Sequence, residues 1–129
     1  MSSGLVIRAA HFPGRAPIEA YGNGGFRFAD MSHRGSILCL PSGIHGWEPA
    51  DPQALSAADF AKVMTEAEGI EILLVGMGEA LRPMSRDLRT ALKDAGISSD
   101  PMSTGAAVRT YNVLLAEDRA VAAALIAVA

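Results

Sequence analysis

The run Ile70-Glu71-Ile72-Leu73-Leu74-Val75, bounded by Gly69 and Gly76, constrains the fold most tightly. It is nearly all apolar yet too short for a buried helix, and a strand wetted on one face would alternate polar and apolar residues instead. The run therefore predicts a strand covered on both faces, and such strands belong to sheets flanked by helices. Upstream, Ser56 and Asp59 have capping-box spacing, Leu55 and Phe60 sit at staple positions, and Phe60, Val63, Met64 and Ala67 recur at helical intervals. Gly69 is expected to end that helix in the left-handed conformation. Downstream, Ser85 is placed to cap a second helix with the apolar face Leu88, Ala91, Leu92 and Ala95, closed by Gly96.

Ile97 opens a brief strand, and Thr104 is placed to cap a third helix in which Val108, Tyr111 and Leu115 share a face before Glu117-Asp118. The Ala-rich end is ambiguous, because alanine favours helix. Val121, Leu125, Ile126 and Val128, coming after alternating strands and helices, suggest a last sheet strand. The first third reads as short strands: Leu5-Val6-Ile7, then Phe26-Arg27-Phe28 after the Gly22-Asn23-Gly24-Gly25 turn, then Ser36-Ile37-Leu38-Cys39-Leu40 stopped by Pro41. The expectation is one α/β domain over residues 1–129. It is of three-layer α/β/α type with a central mixed sheet, a β-rich N-terminal third preceding β-α-β-α-β. With aromatics at only 5%, the core must be built mainly from Ala, Val, Leu, Ile and Met.

Composition excludes several classes of function. Cys39 is the single cysteine, so no internal disulfide forms, and Met1-Ser2-Ser3-Gly4 lacks the basic and apolar parts of a secretory signal; a cytoplasmic setting is expected. The longest apolar run, Ala120 to Ala129, is half of the about 20 residues that a spanning helix needs. Peripheral contact with the inner membrane stays open. A net charge of −3, with Lys62 and Lys93 the only lysines, argues against binding a nucleic-acid backbone.

Gly76-Met77-Gly78 directly follows the diagnostic strand, as in a dinucleotide-binding turn, but Leu81 stands at the third glycine position and Pro83 interrupts before the helix. Asp100 is a weak match to a ribose-binding acid. In Thr104-Gly105-Ala106-Ala107-Val108-Arg109-Thr110-Tyr111-Asn112, small residues opening a helix leave N–H groups facing an anion, and Arg109 would add a forked donor. A candidate pocket thus comprises Gly76, Gly78, Thr104, Gly105, Arg109, Thr110 and Asn112. The alternative is that Arg109, Thr110 and Asn112 satisfy loop backbone and tie the helix to Gly76-Met77-Gly78.

No catalytic set emerges. Cys39 sits in an apolar run, as an inert core thiol does. His11, His33 and His45 lack a second ligand at metal-binding spacing, so no metal or other cofactor is expected. No serine lies in Gly-x-Ser-x-Gly, and Glu66/Glu68 and Glu117/Asp118 read as solvated helix ends. Arg82, Arg86, Arg89 and Lys93 are spaced to line one side of the second helix, either as a solvated face or as a docking surface for an acidic partner or an anionic membrane. Trp47 either plugs a core edge or anchors a partner.

Four stretches resemble a known family: Gly24-Gly25-Phe26-Arg27-Phe28; Gly35-Ser36-Ile37-Leu38 through Leu40-Pro41-Ser42-Gly43 to Trp47; Leu74-Val75-Gly76-Met77-Gly78; and Thr104-Gly105-Ala106-Ala107 with Arg109-Thr110-Tyr111-Asn112-Val113-Leu114 and Ala122-Ala123-Ala124-Leu125-Ile126. The family is a domain-of-unknown-function group related to the mitochondrial NADH:ubiquinone oxidoreductase (complex I) assembly factor 3. The resemblance implies a single α/β/α-type domain and a protein-binding rather than catalytic role, with protein partners in assembly of a membrane complex. Many bacterial relatives carry a cysteine where this chain has Val108, which speaks against essential thiol chemistry at that helix. The competing expectation is a small-molecule or anion-binding protein or enzyme with a cleft between Gly76–Gly78 and the start of the third helix.

Overall fold

The computed structural model describes residues 11–129 and the backbone of Val6–Ile7; Leu5 of the first expected strand lies outside the described residues. The strands are β1 (Val6–Ile7), β2 (His11–Phe12), β3 (Ala20–Gly22), β4 (Gly25–Phe28), β5 (Met31–Arg34), β6 (Ser36–Leu40), β7 (Gly43–Trp47), β8 (Ile72–Gly76), β9 (Ser98–Met102) and β10 (Val121–Leu125). The helices are α1 (Ala61–Thr65), α2 (Arg86–Asp94) and α3 (Thr104–Ala116), with 3₁₀ turns at Pro52–Ala54, Ala57–Phe60 and Ala67–Gly69.

A six-stranded mixed sheet runs β2-β7-β6-β10-β8-β9, and a smaller sheet runs β1-β5-β4-β3. The diagnostic apolar run forms β8, parallel to β10 on one side and β9 on the other. β10, the Ala-rich segment, is a strand in the heart of the sheet, antiparallel to β6 and wholly buried. Burial on both faces overrides alanine's preference for helix.

Alternation assigns the faces. Leu38, Leu40, Leu73, Val75, Ala122 and Ala124 pack with Phe60, Val63, Leu88 and Leu92 from the α1 and α2 side. Ile37, Cys39, Leu74, Val121, Ala123 and Leu125 pack with Ala107, Val108 and Tyr111 of α3 and with Phe26 and Phe28 of the small sheet. The layers are therefore α1 and α2, then the mixed sheet, then α3 beside a second sheet. Three consecutive alanines in β10 let both outer layers approach closely with little side-chain bulk.

Ser85 caps α2 through its Oγ, which accepts from Leu88 N at 3.2 Å. Ser56 N donates to Asp59 Oδ2 at 2.9 Å, as the capping-box spacing predicted, and opens a 3₁₀ turn that leads into α1. Two local expectations need correction. Gly69 is not left-handed: α1 ends at Thr65, and Gly69 closes a separate 3₁₀ turn. The cap of α3 is Ser103, whose Oγ accepts from Ala106 N at 3.2 Å, because the Thr104 hydroxyl turns into the core.

Candidate functional site

Of the candidate pocket residues, Gly76, Gly78 and Thr104 gather where β8, β9 and β10, all parallel, reach their C-terminal ends, the usual ligand edge of such a sheet. Here their polar groups bind one another. Thr104 N donates to the Gly78 carbonyl at 2.7 Å, and Gly78 N donates to Thr104 Oγ1 at 3.1 Å. Thr104 Oγ1 donates in turn to Ile126 O at 2.7 Å, and Ile126 N donates to Gly76 O at 3.0 Å. A Cβ on Gly76 would lie 3.0 Å from the Thr104 Cα, from its Oγ1 and from a Leu125 methyl, so glycine is what lets α3 seat against the strand end. The Thr104 hydroxyl thus fills the gap between the two loops. Of the helix-opening amides, Thr104 N is taken by Gly78 and Ala106 N by Ser103.

Asn112 also serves backbone. Its Nδ2 donates to Ile18 O at 2.9 Å, and Ile18 N donates to its Oδ1 at 2.8 Å. Arg15 strengthens the same tie, its Nη2 donating to Arg119 O at 3.0 Å and Val121 O at 2.8 Å beyond the end of α3. Arg109, Thr110 and Asn112 do not converge. Arg109 is exposed, Thr110 is half-buried, and Asn112 faces the segment before β3.

Gly105 belongs to a different feature. A Cβ there would collide with the Tyr21 hydroxyl, so its absence lets the phenol ring of β3 lie over the first turn of α3. Arg109 Nη1 reaches within 3.5 Å of the same point. Tyr21 is 42% exposed, and Val113, one turn beyond Arg109, is 56% exposed. Tyr21, Arg109 and Val113 form an exposed stripe of residue types enriched at protein interfaces in the case of Tyr and Arg. Tyr21 carried no sequence signal, since only the fold brings β3 to α3.

The basic residues divide. α2 begins at Arg86, so Arg82 is not on the helix and instead lines an apolar groove with Leu55, Met77 and Met84, correcting the single stripe expected from spacing. Arg86, Arg89 and Lys93 line a second groove between α2 and β9. Trp47 is a core residue. It is 9% exposed, its Nε1 donates to Asp59 O at 2.8 Å, and its ring meets Phe60 edge-on at 5.3 Å. Of the two expectations for Trp47, core plug and partner anchor, its burial matches the first.

Burial pushes the Cys39 thiol up to about 12, with a Tyr111 hydrogen bond opposing. The same burial, with Cys39 beside it, raises the Tyr111 phenol. Neither supplies a nucleophile or base near neutral pH. On the surface, Ser42 Oγ donates to Glu66 Oε2 at 2.6 Å and meets His45 Nε2 at 2.9 Å. Serine stands between imidazole and carboxylate, so the histidine is not held as a general base by the acid as a triad requires. Burial lowers the His45 imidazole, with Lys62 adding to the shift and Glu66 opposing it. Among the described residues, no group of three or more His, Cys, Asp or Glu is placed to hold a metal ion.

Fold and site define a small α/β domain whose loops at the parallel-strand ends are sealed by hydrogen bonds and whose free polar chemistry lies on its surface. A model for the family of proteins of unknown function DUF498/DUF598 matches residues 18–126, and the chain belongs to that family. An uncharacterised protein of Rhodobacter capsulatus is 38% identical over 122 residues, covering 95% of this chain and 93% of that protein. The mouse NADH dehydrogenase [ubiquinone] 1 alpha subcomplex assembly factor 3 is 27% identical over 122 residues, 95% of this chain and 66% of the mouse protein. A crystal structure of an outer membrane protein from Bartonella henselae superposes with a TM-score of 0.89 at 62% identity, covering 92% of this chain and all of that one. Among the described residues, no helix is long and apolar enough to cross a membrane.

Proposed function

We propose that the chain is a non-catalytic, protein-binding factor that assists assembly of a respiratory or other membrane complex, working in the cytoplasm and at the inner-membrane surface. One observation carries the reading. In the last of the four resembling stretches, the polar groups of Thr104 and Asn112 are committed to the chain's own backbone, while Arg109 and Val113 face outward beside Tyr21. Tyrosine and arginine in such a stripe suit a protein interface. The relative named as an assembly factor adds support. The competing anion-binding reading has less behind it, because its loop amides and hydroxyl already have partners.

The test is affinity capture of the tagged chain from crosslinked native membranes and cytosol. The reading expects a reproducible set containing subunits of one membrane complex, recovered poorly by the Tyr21→Ala/Arg109→Ala variant. Absence of any reproducible partner overturns it. A nucleotide, phosphate or carboxylate that stabilises the chain against heat, and does so only with Arg109 present, favours the competing reading.

A further inference from the structure

The groove between α2 and β9, of about 670 Å³, is lined by Arg86, Arg89 and Lys93 on the helix and by Gly96, Ile97, Ser98 and Ser99 on the strand side. Its lining holds three cations and no carboxylate, in a chain whose net charge is −3. Among the described residues the ion pairs are Arg27–Glu19 and Arg119–Glu71, so none of the three groove cations is held in an ion pair, although Asp87 and Asp94 flank them along α2. They are exposed, on the side of α2 away from the buried Leu88 and Leu92. Unpaired guanidinium groups bind carboxylates in a two-pronged geometry.

The strand wall adds a second kind of recognition. β9 is the edge of the six-stranded sheet. Ser98 N donates to Glu71 O, and Met102 O accepts from Met77 N, so Ser98, Asp100 and Met102 turn their backbone groups toward β8. By alternation, the N–H and C=O of Ser99 and the C=O of Pro101 point outward. Pro101 offers no donor there, which limits pairing to a short stretch. From Arg86 to Lys93 the helix rises about 10 Å, the reach of three or four extended residues.

We propose that this groove holds a short extended acidic segment of a partner protein, its carboxylates on Arg86, Arg89 and Lys93 and its backbone on Ser99. The proposal rests on the protein-binding reading above and names the partner's chemistry. A lipid surface fits less well, because a concave groove excludes a plane and lipid headgroups cannot pair with a strand edge.

The probe is the peptide acetyl-(Asp-Glu)₃-amide, titrated into ¹⁵N-labelled protein at low salt. We expect amide shifts centred on Gly96 to Ser99 and α2, binding that weakens steeply as salt rises, and at least a tenfold loss in Arg86→Glu/Arg89→Glu. Arg82→Glu, a charge reversal outside the groove, leaves affinity within about twofold. Shifts elsewhere, equal loss in Arg82→Glu, or unaltered binding by the double variant overturns the proposal. Binding to phosphatidylglycerol vesicles without binding to the peptide also overturns it. A partner captured equally by wild type and Arg86→Glu/Arg89→Glu overturns the groove alone, whereas failure to capture any partner overturns the protein-binding reading with it.

Discussion

Asn112 and Ile18 exchange two hydrogen bonds, so a helix side-chain amide pairs with a backbone peptide group as a neighbouring strand would. The segment before β3 is thereby laid across α3, and Arg15 fastens its other end to Arg119 and to Val121 at the start of β10. Asn112 therefore positions Tyr21 over Gly105 without touching it.

Replacing Asn112 with alanine leaves both Ile18 groups without their partner and is expected to cost about 1–3 kcal/mol in urea unfolding. Asn112→Asp keeps the acceptor, loses the donor, and recovers only part of that loss. An unchanged urea midpoint in Asn112→Ala would show that water replaces the amide without penalty.

Thr104 joins three segments through one hydroxyl. Thr104→Val keeps the shape but orphans Gly78 N and Ile126 O in a fully buried place, and is expected to cost about 2–4 kcal/mol. Thr104→Ser retains the hydroxyl and loses a methyl, for about 1 kcal/mol. Equal losses in the two variants would mean that packing, not hydrogen bonding, holds the site closed.

Much of this architecture was legible in the sequence, and the exceptions share a cause. β8 declared itself through an unbroken apolar run, and α2 through Ser85 and its leucine spacing, because each depends on neighbours along the chain. The pairing of Asn112 with Ile18 and of Tyr21 with Gly105 depends on where β3 lands, which no local pattern encodes. The sequence expectation sets the α3 cap at Thr104, one position past the observed Ser103, because both residues are competent caps. Only the Ile126 carbonyl, reached through the fold, draws the threonine inward. Loop context leaves Trp47 open between core plug and partner anchor, and spacing alone sets Arg82 on the helix; the Asp59 carbonyl and the helix start at Arg86 decide their places.

The buried thiol gives the chain an alkaline limit. With Cys39 raised from an ordinary 9.0 to about 12, the unfolded chain holds fewer protons than the folded one between those values. Stability is therefore full below about pH 9 and falls above it, by at most about 1.4 kcal/mol per pH unit from this group. Tyr111, also raised by burial, adds to the fall above its ordinary value of 10.0. Urea unfolding across this range should show the decline, with a shallower slope in Cys39→Ala. A thiol reagent should label Cys39 only as fast as the chain unfolds; rapid labelling of the folded chain contradicts the burial.

Gly105→Ala separates stability from recognition. Alanine favours helix over glycine by up to about 1 kcal/mol, while its Cβ displaces only the far end of the Tyr21 side chain. Stability should hold or rise slightly, and partner recovery should fall. Recovery unchanged from wild type would remove Tyr21 from the interface.

The most direct test of the central claim is the amount of each assembled respiratory or other membrane complex, measured on native gels of membranes from cells lacking this chain. The account predicts that assembled complex falls, that wild-type chain restores it, and that Tyr21→Ala/Arg109→Ala, though folded, does not. An undiminished amount of every assembled membrane complex in the cells lacking the chain would contradict it.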